Sequence, residues 1–433
     1  AGGPAMHEKI FRDPVHDFIT VRDPLLVRLI DTPEFQRLRR LRQLGTAAGT
    51  YHGAEHSRFG HCLGAMHVMG KVLQRLREAG APGVDEELER LGRAAALLHD
   101  IGHGPFSHGL ERVITPSKGH EQWTRAILSG PSGVREVLES AGSGFADQVQ
   151  RVLTGELPPA LRWLHHLVAG QLDVDRMDYL LRDALYTGAA YGRFDLERLI
   201  NTLLWVDGQV VFSYKGIPTA EEYVLARHYM YWQVYFHKTT RAQDLLLQAA
   251  WRRARELLHE GRLRPGLEVP PSLEGFLRDG DGSLEAYLAI DDHDVVCALK
   301  QWQHAADPIL ADLAGRFLHR RLLKPLLRQP RPAIPDAWVA EAREVCRRRG
   351  WNPDYYCLVD RTSDIAYDYY TEAAAAAPAR PPLMAVDEFG RLRELSRVSE
   401  VIRALATRPR SGANLYVPEE CREEILQRVR HGE

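Results

Sequence analysis

Residues 94–108 read Ala-Ala-Ala-Leu-Leu-His-Asp-Ile-Gly-His-Gly-Pro-Phe-Ser-His. An apolar helical segment thus delivers an adjacent imidazole and carboxylate, His99 and Asp100, into a glycine-rich turn that also carries His103 and His108. One divalent cation can take a nitrogen from the first and an oxygen from the second, and Gly102 and Gly104 let the backbone bend closely around it. A His-Asp pair arises by chance in many chains, so a metal site requires further ligands on neighbouring helices. His61 lies on the less apolar flank of an earlier helix, between glycines. Asp175, Tyr179 and Asp183 recur at four-residue spacing and line one helix face. Such a row is costly to bury unless a cation or ligand compensates. Taken singly, each of these side chains could equally stand on a solvated face in ordinary ion pairs. Together, His61, His99, Asp100 and Asp175 supply two imidazoles and two carboxylates and leave open positions on an octahedral ion such as Mn, Fe or Mg.

The elements that must position these groups are mainly helical from about residue 25 to residue 260. Leu25–Leu29 and Phe35–Leu44 form a first run, with Thr32-Pro33 as a helix start. Ser57 reads as the N-cap of a helix whose apolar stripe runs Phe59, Cys62, Leu63, Met66, Met69, Leu73 and Leu76, with His61 outside it. Further helices are expected at Leu88–Asp100, Pro105–Val113, Glu121–Leu128, Leu161–Leu185 and Ala220–Leu258. Trp205–Phe212 reads as a β-hairpin around Asp207-Gly208. After Gly261, Pro265, Pro270 and Pro271 mark a break. A helical stretch at Ala306–Leu327 follows, then strands at Tyr355–Val359, Leu383–Val386 and Leu392–Leu395. Residues 371–382 read as an exposed low-complexity loop. The expected architecture is a mainly α core over residues 6–260 with one small β-hairpin, followed by a smaller α+β subdomain over 261–433. Residues 1–5 resemble a tag remnant.

The 433 residues are 45% apolar and 26% charged, enough for a large core. Lys plus Arg (56) nearly balance Asp plus Glu (58), so the net charge of −2 gives no global attraction to nucleic acid or an anionic membrane. No apolar run approaches the roughly 20 residues of a membrane helix. Cys62, Cys297, Cys346, Cys357 and Cys421 form no C-x-x-C pair and suit free thiols in a reducing cytoplasm. Of the 19 histidines, 14 precede residue 240, which places the chemistry in the first half.

The order H…HD…D resembles the HD-domain metal phosphohydrolases, and the wider context the deoxynucleoside triphosphate triphosphohydrolases among them. Five motifs carry the resemblance in order and spacing: Phe11-Arg12-Asp13-Pro14-Val15-His16, residues 31–39, Ser57–His61, His99–His108 and Asp173-Val174-Asp175-Arg176. The resemblance covers residues 8–260 and extends to the animal members, without their sterile-alpha-motif. It implies that His61, His99, Asp100 and Asp175 bind the catalytic metal: Fe, Mn or Mg, with Zn an alternative. A metal-activated water would attack the α-phosphorus and release triphosphate and a nucleoside, with Mg on the remaining phosphates.

By the same resemblance His108, Glu111 and His120 form the catalytic group. His108 and Glu111 make a His-carboxylate pair suited to general acid catalysis, where many relatives carry Asp for Glu111. Arg58, His103, His120 and Arg176 match positions that touch phosphates. His103 could instead cap a turn, and His120 could sit in a solvent loop. Gln43, Leu44, Tyr179, Asp183, Arg227 and Tyr235 match positions around sugar and base, with Tyr179 and Asp183 sensing the 3′-hydroxyl and excluding a 2′-hydroxyl. Phe236 replaces a base-contacting Gln, which leaves base preference open. Lys9, Asp31, Gln36, Arg39 and Arg198 resemble an activating guanine-nucleotide site between subunits, implying GTP or dNTP as activator and a homo-oligomer. An equal alternative is that ordinary ion pairs hold the N-terminal segment to the helices. Two rivals remain: another HD phosphohydrolase acting on monophosphates, cyclic nucleotides or guanosine tetraphosphate, and a nucleotide- or nucleic-acid-binding sensor using short basic patches such as 37–42.

Overall fold

The computed structural model describes residues 8–362, 381–406 and 412–431; the tag-like residues 1–5 and most of the low-complexity segment, 371–380, lie outside them. The described chain opens with an antiparallel hairpin, β1 (Lys9–Asp13) and β2 (Asp17–Val21). Helices α1 (Pro24–Ile30) and α2 (Pro33–Arg37) each begin with proline and are capped by Asp23 and Thr32, whose side chains accept first-turn N–H groups. Then come α3 (Arg58–Glu78), α4 (Glu86–Leu98), α5 (Glu111–Ile114), α6 (His120–Ser129), α7 (Gly133–Glu139), α8 (Phe145–Thr154), α9 (Arg162–Ala169), α10 (Val174–Thr187) and α11 (Leu196–Asn201). The expected hairpin forms as β3 (Leu203–Val206) and β4 (Gln209–Phe212), and Asp207 and Gly208 both take positive φ in the turn. Helix α12 (Ile217–Met230) runs into a π-helical turn, Tyr231–Tyr235, before α13 (Lys238–His259).

Helices α14 (Pro271–Asp279), α15 (Leu284–Ala289), α16 (Asp292–Trp302) and α17 (Pro308–Leu318) follow, then β5 (Lys324–Pro325), α18 (Asp336–Arg348), α19 (Pro353–Tyr356) and β6 (Leu358–Thr362). The last elements are β7 (Met384–Val386), β8 (Leu392–Glu394), α20 (Leu395–Val398), α21 (Glu400–Ala406), β9 (Gly412–Val417) and α22 (Glu419–His431). Strand β7 pairs in parallel with β4, giving a four-stranded sheet in the order β3-β4-β7-β8, while β9 lies between β5 and β6. The fold is therefore mainly α with small sheets.

Three apolar cores hold these elements. The first gathers β2, α1–α4 and α8–α12 around residues such as Leu26, Met66, Met69, Leu97 and Met177. The second packs Leu246 and Trp251 of α13 against Phe276, Trp302 and Leu313, so apolar packing runs across residue 260. The third brings Cys346, Cys357 and Cys421 together with Leu415 and Ile425. All five cysteines are free thiols.

Several expected helices break where backbone chemistry demands it. The stretch Pro105–Val113 is not one helix, because Phe106 and Ser107 adopt φ values of 52° and 46° and only α5 is α-helical. Leu161–Leu185 divides into α9 and α10 at Gly170, and Asp173 caps the second half through the N–H of Arg176. Phe35–Leu44 ends at Arg40, and Arg42 instead bridges Ser57. Ala220–Leu258 is interrupted between Tyr231 and His237, and Ala306–Leu327 stops at Leu318 before β5. Ser57 occupies the N-cap position of α3 but its side chain makes no capping bond. His61 does not lie on a polar flank: α3 is covered on nearly every side, and His61 is 0% exposed. Among the described residues no helix is long and apolar enough to cross a membrane.

Candidate functional site

His61 projects from the first turn of α3, His99 follows the last residue of α4, and Asp175 lies in the first turn of α10. Their ligand atoms meet. His61 Nε2 is 3.1 Å from His99 Nε2 and 2.9 Å from Asp175 Oδ1, and His99 Nε2 is 3.3 Å from the same oxygen. The tautomers follow from the other ring nitrogens. His99 Nδ1 donates to the Ala96 carbonyl at 2.7 Å and His61 Nδ1 to Asp178 at 2.8 Å, so each neutral ring turns an Nε2 lone pair toward the other. Two lone pairs and a carboxylate in contact repel unless a positive charge sits among them. Donors roughly 2.1 Å from one ion and at right angles lie about 3.0 Å apart, so this spacing fits three neighbouring corners of an octahedron.

The same need for positive charge shows in the protonation of His61, since a proton on Nε2 facing Asp175 answers it where a cation does not. Burial opposes charge on His61, yet its bonds to Asp175 and Asp178 outweigh that and hold its pKa up at about 10. Burial would raise Asp175, but His99 and His61 bring it below the usual carboxylate range. Asp100 stands at the edge of the cluster, its oxygens 3.5 Å from His99 Nε2 and 3.8 Å from His61 Nε2. Its carboxylate is held by Arg58 and lies 3.3 Å from His103 Nε2. Arg58 is buried and also donates to Ser107 Oγ from Nε and Nη2, at 3.0 and 2.7 Å.

Beside Asp100, the rings of His103 and His120 stack with centroids 4.0 Å apart and planes within 10°. Glu111 accepts from the His120 ring at 3.0 Å and from its backbone N–H, so His120 opens α6 rather than a solvent loop. Polar atoms of His103, Glu111 and His120 cluster within 4.8 Å, but imidazole lone pairs lie in the ring plane and two stacked rings do not converge on one ion. The group is suited to holding a proton. His108 lies on the 3₁₀ turn Ser107–Gly109, but its side chain is outside the described residues, and the expected pair with Glu111 with it.

On the far side of Asp175, Asp183 is buried between two donors: His56 Nε2 at 2.7 Å and the Tyr235 hydroxyl at 2.7 Å. Tyr179 lies over this pair, its ring 5.9 Å from that of Tyr235 and 6.3 Å from that of His61. The π-helical turn sets Tyr235 there, an irregularity common at functional sites. Gln43 is buried with no partner for Oε1, and Leu44 packs against the first core. Arg176 turns its guanidinium to Asp173 and the Gly170 carbonyl, leaving Nε without a partner. Arg227 is buried with its guanidinium 5.8 Å from the Tyr231 ring centroid.

Four of the five residues set apart from the centre make local pairs. Lys9 binds Asp31, Gln36 donates to the Ile30 carbonyl at 2.8 Å and accepts from Arg39 at 2.9 Å, and Arg198 is exposed on α11. Sequence reasoning left three residues without a role: His56, His16 and Asp178. His16 closes a motif already singled out, His56 directly precedes another, and Asp178 heads the buried i,i+4 pair with Arg182, which was the available signal.

The HD domain pattern matches residues 58–183, and the HD associated region matches 194–265. The uncharacterized protein YwfO of Bacillus subtilis is 37% identical over 418 residues, 96% of this chain and 94% of its own length. The deoxynucleoside triphosphate triphosphohydrolase SAMHD1 of Homo sapiens is 29% identical over 57% of this chain and 44% of its own length. This chain thus spans less than half of that relative. A phosphohydrolase from Bacteroides thetaiotaomicron superposes with a TM-score of 0.82 at 30% identity, over 95% of this chain and all of that one. With the HD motif mounted on three helix ends and full-length similarity of this kind, the chain belongs to the HD-domain phosphohydrolase family.

Proposed function

We propose that this chain hydrolyses deoxynucleoside triphosphates to a deoxynucleoside and inorganic triphosphate. The observation that carries the reading is the continuous path from His61 across the Tyr179 ring to Tyr235 and Asp183. A sugar joined by one ester oxygen to a phosphate at the His61 cluster would lie along that path. Asp183 and Gln43 offer acceptors for its hydroxyl, and Tyr179 fills the space a 2′-hydroxyl needs. The name of the SAMHD1 relatives agrees with this substrate class.

His61, His99, Asp100 and Asp175 would hold the divalent cation, which supplies a Lewis acid and a water of lowered pKa. Arg58, His103 and Arg176 border the path and would bind phosphate oxygens, exchanging part of their present contacts with Asp100 and Asp173. The departing 5′-oxygen needs a proton, and His120, whose protonated form is favoured by its bond to Glu111, would be the store for it, with His108 earlier in the same segment. Leu44 and Arg227 would flank the base.

Ion-exchange analysis of products from each dNTP and NTP, with Mn or Mg and with and without GTP, tests the proposal. Triphosphate and deoxynucleoside as the products, lost in Asp175→Ala, are expected. Orthophosphate or pyrophosphate from any of these substrates would instead assign the site to another phosphohydrolase reaction.

A further inference from the structure

Behind the cluster, a second line of buried side chains joins His61 to the N-terminal hairpin. Asp178 accepts from His61 Nδ1 at 2.8 Å on Oδ2 and from His16 Nε2 at 2.7 Å on Oδ1. Arg182 adds one bond to each oxygen, 2.9 Å from Nε and 3.0 Å from Nη2. A carboxylate has about four lone-pair positions, and all of them are taken here. Arg182 also grips Asp13 at 3.0 and 3.2 Å, and Asp13 accepts the N–H groups of Val15 and His16 that shape the β1–β2 turn. The side chains of Asp13, His16, Asp178 and Arg182 are each at most 6% exposed. Room for this clamp exists because α3 carries Gly64, where a Cβ would fall 1.8 Å from Asp178 Oδ1.

A carboxylate with four fixed donors cannot rotate, so it fixes the His61 tautomer and aims Nε2 at the cluster. Two of those donors belong to Arg182, one is His61 itself, and the fourth, His16, comes from the β1–β2 turn, outside the helices α3, α4 and α10 that present the cluster. We infer that His16 is a positioning residue for His61, and that the hairpin β1–β2 thereby sets how tightly the cation is held. The inference rests on His61 being a metal ligand. It also gives the hairpin a purpose that the motif Asp13-Pro14-Val15-His16 does not announce, since Asp13 orients Arg182 while His16 closes the other side of the same carboxylate.

The test is the affinity of the full chain for Mn(II) alone, read from free Mn(II) in an EPR titration. His16→Gln keeps an N–H donor at the place of Nε2; His16→Phe keeps the ring and removes the donor. We expect His16→Phe to bind Mn(II) at least about tenfold more weakly and His16→Gln to stay within about threefold of the parent. Parent-like affinity in His16→Phe, or equal losses in both variants, overturns the inference. Should His16→Phe fail to fold, Asp13→Asn takes its place, with the same loss expected and parent-like affinity again decisive against it. His61→Ala separates the two readings: if it too binds Mn(II) like the parent, the metal assignment itself has failed.

Discussion

The rings of His103 and His120 lie face to face 4.0 Å apart; His120 has Glu111 on its ring nitrogen at 3.0 Å, whereas the carboxylate nearest His103, Asp100 at 3.3 Å, is itself held by Arg58. The pair is therefore electrically asymmetric. Burial and Arg58 keep His103 well below the usual histidine range, whereas for His120 the bond to Glu111 outweighs burial and raises the pKa. His120 then keeps its proton as the pH climbs through 6.5, and a rate that needs that proton falls only at higher pH. Glu111→Gln removes the countercharge and should move the alkaline limb of kcat/KM down by about one pH unit. An unmoved limb in the pH profile would assign the proton donation elsewhere.

Supplying a cation to the cluster should stabilise the whole chain. At a hundredfold excess over Kd, binding to the folded state alone adds about 2.7 kcal/mol. For a chain of 433 residues this raises the unfolding midpoint by about 3 °C. Differential scanning calorimetry of chelator-treated protein with and without Mn(II) reads the shift, which should vanish in Asp175→Ala. A shift that persists there would place the bound ion at another site.

Tyr235→Phe takes away one of the two donors to Asp183 while leaving the aromatic wall in place. Losing a hydrogen bond of this kind costs about 1–1.5 kcal/mol. The expected kinetic result is a KM for dNTP raised roughly five- to tenfold with a smaller change in kcat. Equal KM values would show that Asp183 does not read the sugar.

His67 on α3 makes folding sensitive to acid. Burial first, then His16, Lys71 and Arg93, press its pKa down to about 4. Between 6.5 and 4 the unfolded chain takes up a proton that the folded chain refuses, so stability is whole above pH 6.5 and declines as the pH falls through this window. Allowing for screening of a partly exposed ring, the loss is on the order of 2 kcal/mol. Urea unfolding at pH 7.5 and pH 4.5 should show a smaller difference for His67→Gln than for the parent; equal differences would acquit His67.

What could be read from the residue order were groups whose meaning is local. An adjacent His-Asp pair at a helix end, a histidine in the first turn of α3 and the row Asp175, Tyr179 and Asp183 at four-residue spacing on α10 carry their geometry with them, because helix periodicity places side chains without help from the rest of the fold. Asp207-Gly208 likewise marks its own turn. Helix interruptions were less legible. At Gly170 and at Phe106-Ser107 the apolar spacing continues through the break, and only a capping aspartate or an unusual φ distinguishes it.

By itself the sequence determined where most helical runs lie and the order of the histidines and carboxylates that could hold a cation. The tertiary structure decided which nitrogen of each histidine faces the centre, because that choice belongs to the group on the other nitrogen: the Ala96 carbonyl for His99 and Asp178 for His61. It also decided that Asp178 belongs to the centre at all. In the sequence that residue is one more acid on an acidic helix, and its role exists only once His16, 162 positions away, donates to its second oxygen. A hydrogen bond is specified by two atoms in space, and no spacing along the chain encodes a pair that folding alone brings together.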